Sequence, residues 1–203
     1  MRKKLRPVAA CLLLAAFVWG GALIADRKQL REELIRLHVV AASDSTEDQA
    51  LKLQVRDAVT ESLQTELQNL TDKDAAKAYL QENLPKIEAL ANRVLRELGC
   101  GDVARVSLAV EEFSHRVYDT FTLPAGVYDT LRITIGEGAG KNWWCVVFPG
   151  LCMGATAEEF DEIAAGAGFS PELTAALEGK EGYEIRFYIL ELLGRLENLL
   201  HRG

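Results

Sequence analysis

Histidine, cysteine and proline are scarce in this chain, with three, four and five among its 203 residues. His38, His115 and His201 stand far apart, and none shows the close spacing of a zinc-ligand pair with a cysteine. Structural zinc is held by such pairs, so neither a metal nor any other cofactor is expected. No stretch is low in complexity and no unit repeats, which excludes solenoids and propellers. Acidic residues are missing from the first 25 positions. Beyond them, 19 basic residues face 30 acidic ones, a net charge of −11. Such a surface repels phosphate backbones and anionic lipid, which argues against nucleic-acid binding.

The acid-free start has the form of a targeting segment. Arg2, Lys3, Lys4 and Arg6 make a basic lead, and Val8 to Ala25 is an uncharged apolar run. Gly20-Gly21-Ala22 fits a signal-peptidase cut, and Ala25 before Asp26 is a poorer one. The competing reading is an uncleaved anchor, since 18 residues of helix reach about 27 Å, just short of a hydrocarbon core. Val8-Ala9-Ala10-Cys11 imitates a lipoprotein box, but no apolar stretch precedes it. Residues 26–34 read as a juxtamembrane linker or short helix, and residues 35–203 as one exported domain. That length supports a core without help from disulfides.

Cys11 lies in the targeting segment, leaving Cys100, Cys145 and Cys152. An odd count implies a free thiol or an intermolecular bond. Cys145 and Cys152 are the natural pair in an oxidising compartment, and three buried thiols are the alternative.

Ile35, Leu37, Val39 and Ala41 alternate with polar neighbours, the mark of a strand. Polar residues 42–46 offer helix caps, and Leu51, Val55, Val59, Leu63, Leu67 and Leu70 form one helical stripe. Thr71 or Asp72 caps a second helix, and Pro85 suits the first turn of a third. Further strands follow around Val106–Val110 and Leu131–Ile135. A last one, Trp143–Phe148, is apolar on both faces, which suits a central position. Gly136 to Asn142 reads as a hairpin loop between these last two. The final fifty residues are helical and offer packing, not chemistry. Strand, helices, then strands predicts an α+β fold: a small, mainly antiparallel sheet with helices inserted between its first and second strands, and a helical C-terminal segment.

Candidate chemistry is thin. Gly136-Glu137-Gly138-Ala139-Gly140-Lys141-Asn142 fails the P-loop test, because Asn142 and a strand follow Lys141 where Ser or Thr and a helix are needed. A Cys145–His115 hydrolase is the sharper enzyme idea, yet Cys145 sits inside an apolar strand and a disulfide would silence it. His38 is expected to be half buried, bonded to a backbone carbonyl or to Asp44, or else to make a partner contact. Trp143 and Trp144 point to opposite faces, so either one of them is a candidate anchor for a partner or helices cover both faces.

Three stretches, in order, resemble the stage II sporulation protein R family. They are Ile35-Arg36-Leu37-His38-Val39 on through Lys52 to Val59, then Leu123-Pro124-Ala125-Gly126-Val127-Tyr128 through Ile133, then Ile135-Gly136-Glu137-Gly138 through Asn142-Trp143-Trp144-Cys145-Val146-Val147-Phe148-Pro149 to Leu151-Cys152. The chain departs from the family where Phe-Pro-Thr-Arg-x-Tyr-Gly is here Phe113-Ser114-His115-Arg116-Val117-Tyr118-Asp119. Phe-Pro-Pro-Leu-Cys is likewise Phe148-Pro149-Gly150-Leu151-Cys152. The resemblance implies a non-catalytic signal exported from the forespore into the space between the septal membranes. There it would activate the mother cell's membrane-embedded aspartic protease, stage II sporulation protein GA, to process pro-sigma-E. Partner-contact candidates are His38, Ser43 and Asp44 on one loop, with Glu137, Lys141, Asn142 and Trp143 near the glycine loop.

Overall fold

The computed structural model describes residues 2–70, 72–152 and 156–202, without the side chains of residues 2–10 and 12. Thr71 and part of the targeting segment therefore lie outside the described residues. Six helices and six strands follow in order: α1 (Arg2–Glu33), β1 (Ile35–Val40), α2 (Thr46–Leu67), α3 (Lys73–Glu97), β2 (Ala104–Phe113), β3 (Arg116–Val117), β4 (Thr122–Leu123), β5 (Gly126–Ile135), β6 (Asn142–Phe148), α4 (Ala157–Gly166), α5 (Pro171–Leu177) and α6 (Glu184–His201). The fold is α+β, as the order of periodicities predicts.

The main sheet runs β2-β5-β1-β6, and β3-β4 form a separate two-stranded ribbon. β2 pairs antiparallel with β5, and β6 antiparallel with β1, while β1 and β5 run parallel. A parallel pair needs a long crossover, and α2, α3 and β2 supply it. Two sequence expectations change here. β6 is an edge strand, and β1 is interior. The Gly136–Asn142 segment is not a hairpin loop, because β1 lies between the strands it joins.

β6 reads as central because both its faces are covered. Cys145 and Val147 face one core, Val146 the other. Its outer edge is also partly closed, since Leu151 N–H donates to the Val146 carbonyl at 3.2 Å. Beside that turn Cys145 is disulfide-bonded to Cys152, with 5.2 Å between their Cα atoms.

Two cores flank the sheet. On one face Ile35, Leu37, Val39, Leu131 and Ile133 pack against Val55, Val59, Leu63, Leu80 and Leu95 of α2 and α3. Ser45 caps α2 by accepting from Asp48 N–H at 3.0 Å, and Asp72 caps α3 by accepting from Ala75 N–H at 2.8 Å. Pro85 does not open a third helix; it lies inside α3. An interior proline costs about 3 kcal/mol, but Leu80 before it and Ile87, Ala91 and Leu95 after it are all buried. Burial on both sides of the proline outweighs the lost backbone bond.

On the second face Phe113, Tyr128 and Val146 meet Leu23 and Leu30 of α1, Leu34 just after it, Phe160 of α4, Leu173 of α5 and Leu190 of α6. Residues 26–33 are thus helical and packed, with Asp26 bound to Arg186 at 2.6 Å. Packing of α1 begins at Leu23, directly after Gly20-Gly21-Ala22. Upstream of it Leu13, Leu14, Phe17 and Val18 are exposed. No helix is long and apolar enough to cross a membrane among the described residues.

Candidate functional site

Towards the other end of this sheet face polar groups converge around His38, which is buried rather than half buried. His38 projects from the middle of β1, laterally between Arg132 of β5 and Trp144 of β6. It is bonded neither to a backbone carbonyl nor to Asp44. Its Nδ1 lies 2.6 Å from Glu111 Oε2, and its Nε2 lies 2.8 Å from Asn142 Oδ1.

Glu111 comes from β2, two strands away. Small Ala109 and Thr130 occupy the adjoining row on this face, which leaves its side chain room to lean inward. It also accepts from Arg132 Nη1 at 3.1 Å. Burial alone would raise the Glu111 carboxyl, but bonds and charge from His38 and Arg132 outweigh it and hold the group below its usual range. Trp144 stacks on His38 with centroids 5.4 Å apart, and the Arg116 guanidinium sits 3.5 Å from its indole. Six side chains from five strands thus hold one another in place.

One row deeper Arg36 is completely buried. Its Nε donates to the Cys145 carbonyl at 3.1 Å and its Nη2 to the Tyr118 hydroxyl at 2.7 Å. Its guanidinium lies 4.3 Å from the Phe113 ring centroid and 5.3 Å from that of Tyr128. Among the described residues no carboxylate pairs with it, so aromatic faces and neutral oxygens carry this buried charge. Burial pushes the Tyr118 phenol up, against the pull of Arg36 and Arg116.

The predicted loops meet at the end of the sheet. Residues 136–142 cross over the end of β1, where Ala139 and Gly140 donate to the carbonyls of Ala42 and Ala41 at 3.1 and 3.0 Å. Asp44 accepts from Lys141 N–H at 2.7 Å. Lys52, buried beneath, donates to the Lys141 carbonyl at 3.1 Å. A methyl group on Gly140 would collide with the Ser43 carbonyl. Ser43 itself bonds Asp48. The structure therefore brings His38, Ser43, Asp44, Lys141 and Asn142 to one rim, with exposed Glu137 on the same loop. Trp143 lies on the opposite face, its indole 4.2 Å from the Arg56 guanidinium. His115 is also elsewhere, 3.7 Å from Glu191.

Glu111, Arg132, Arg116 and Trp144 belong to this array but not to the predicted set. Alternation marked a wet face in the strands of Glu111 and Arg132, the one signal that could have found those two; nothing in the sequence pointed to Arg116.

The chain matches the family described as Stage II sporulation protein R over residues 31–158. That span takes in β1, the rim, the array and the disulfide. The chain belongs to the stage II sporulation protein R family. Stage II sporulation protein R of Bacillus subtilis (strain 168) is 30% identical to it over 183 residues, covering 81% of this chain and 82% of that protein. No solved structure matches. The family match reaches the first residues of α4 but leaves out α5 and α6, so the whole sheet, with the array and rim, lies within the shared span.

Proposed function

We propose that this sporulation protein is a non-catalytic signal, exported from the forespore into the space between the septal membranes. There it binds and activates the membrane-embedded aspartic protease of the mother cell, stage II sporulation protein GA, so that pro-sigma-E is processed. The observation that carries the reading is the mutual engagement of the polar array. Both ring nitrogens of His38 have partners and its ring is stacked. An activator needs a rigid surface with higher affinity for the protease's active state, and no chemistry of its own. The array and its rim supply such a surface. The alternative, an exported cysteine hydrolase, is disfavoured because its nucleophile, Cys145, is committed to the bond with Cys152.

Co-expression of the exported domain with the protease and pro-sigma-E in a non-sporulating host tests this. Processing should appear only when the domain is present and folded, and unchanged processing would overturn the reading. Asn142→Ala combined with Asp44→Ala should reduce processing by at least about tenfold, the loss of one or two contacts of 1–2 kcal/mol. Full processing by that variant would move the contact surface away from the rim and leave the function standing.

A further inference from the structure

The folded body leaves a large apolar surface uncovered. α6 buries Leu190 and Gly194 against the sheet, yet Ile185, Tyr188, Leu192, Leu196, Leu199 and Leu200 face outward, 47 to 83% exposed. They recur at helical spacing along one side, interrupted there by Arg195. Apolar surface this extensive marks contact with a protein or a membrane.

The surface does not end with α6. This helix packs beside α1, and a groove of about 560 Å³ between them is lined by Ile24, Lys28, Leu193, Leu196 and Leu200. From Ile24 the exposed apolar surface continues up α1 through Trp19, Val18 and Phe17, 43 to 80% exposed. It therefore runs into the uncharged stretch Val8–Ala25. That continuity favours lipid over a second copy of the chain, because a helix–helix seam needs an apolar residue where Arg195 stands. Lys28, Arg31, Arg195 and Arg202 flank the surface with stems long enough to lie along apolar groups while their charges stay in water. Tyr188 and Trp19 are of the type that settles at a bilayer interface.

We infer that α6 lies on a phospholipid bilayer through this face, as an interfacial helix beside α1. The inference rests on reading residues 8–25 as a membrane-inserted segment, and it is independent of protease activation. It gives the domain a fixed orientation: the rim at the far end of β1 stands about 20 Å from the α1–β1 junction, six residues of strand away.

Hydroxyl-radical footprinting of the full chain, in dilute solution and on phosphatidylcholine–phosphatidylglycerol vesicles, decides the matter. On vesicles, oxidation of Tyr188 should slow by at least about threefold together with that of Trp19. Val103, exposed just before β2 and bonded to Gly136 of the rim loop, should keep its rate. Leu192→Glu with Leu199→Glu should restore the solution rate at Tyr188 while the chain still floats with vesicles through α1. Protection of Trp19 with an unchanged Tyr188 would overturn the α6 contact and leave the α1 reading intact. No flotation and no protection at either residue would overturn both. Tyr188 protected equally without lipid, in a chain that sediments as a dimer, would show that a second copy covers the face.

Discussion

Arg36 and His38 stand two residues apart on one face of β1, yet different physics keeps each side chain in the fold. Arg36 is enclosed by rings and neutral oxygens, whereas His38 has a carboxylate within reach. Glu111 is therefore the charged partner that matters for pH. Its carboxyl is held below the usual value of 4.5, so its folded state binds a proton less readily than the unfolded chain. Its contribution is full above that value and is lost as pH falls through the lower, folded one. Glu111→Gln should destabilise the protein by about 1–3 kcal/mol at pH 7, by weakening its bonds to His38 and Arg132. The difference from the native chain should be smaller at pH 3 than at pH 7, because protonation of the carboxyl removes the charge that Gln already lacks. Urea midpoints at the two pH values measure this, and an equal loss at both would mean that Glu111 acts through shape alone. Asp129, bound to Lys73 and Lys77 at 2.6 Å each, is also held low against its burial. The native chain itself will therefore lose stability in acid even where the Glu111 difference narrows.

At the level of elements, α6 shows how little of an interface periodicity reveals. Its leucines and isoleucines look like a packing stripe, and five of the eight face outward. What presses the helix onto the sheet is an absence of side chain: a methyl group on Gly194 would meet the Ala125 carbonyl. Glu191 fastens the same place by accepting from Ala125 N–H at 2.6 Å. Gly194→Ala raises helix propensity by up to about 1 kcal/mol, but here it should destabilise by roughly 1–3 kcal/mol, because the backbone contact must open. A lower Tm measures it; a raised Tm would mean that α6 does not seat this closely. β6 makes the complementary point. Its apolar character on both faces is real, but alternation reports what lies above and below a strand, never beside it. An edge closed by a disulfide-clipped turn looks from the sequence like a strand with two neighbours.

For the molecule as a whole, the disulfide joins β6 to the turn that shields its edge, and so links sheet order to stability. Cys145→Ala with Cys152→Ala should cost about 2 kcal/mol, the loop-closure entropy for a separation of seven residues. Denaturant midpoints with and without reductant check it: the native chain should lose that amount on reduction and the variant should not change. The sequence by itself determined the α+β class, the helices between the first two strands, the cysteine pair as one of two alternatives, and the family through the motifs around Asn142–Cys152. Those rest on periodicity, caps and local spacing, which are properties of neighbours along the chain. Only the tertiary structure decided the strand order, the continuity of α3 through Pro85 and the joining of α1 to the core. The same holds for the meeting of His38 with Glu111, Arg132, Asn142 and Trp144. Each of these depends on which distant residues lie side by side, and that is settled by burying both sheet faces at once, a condition no single segment carries.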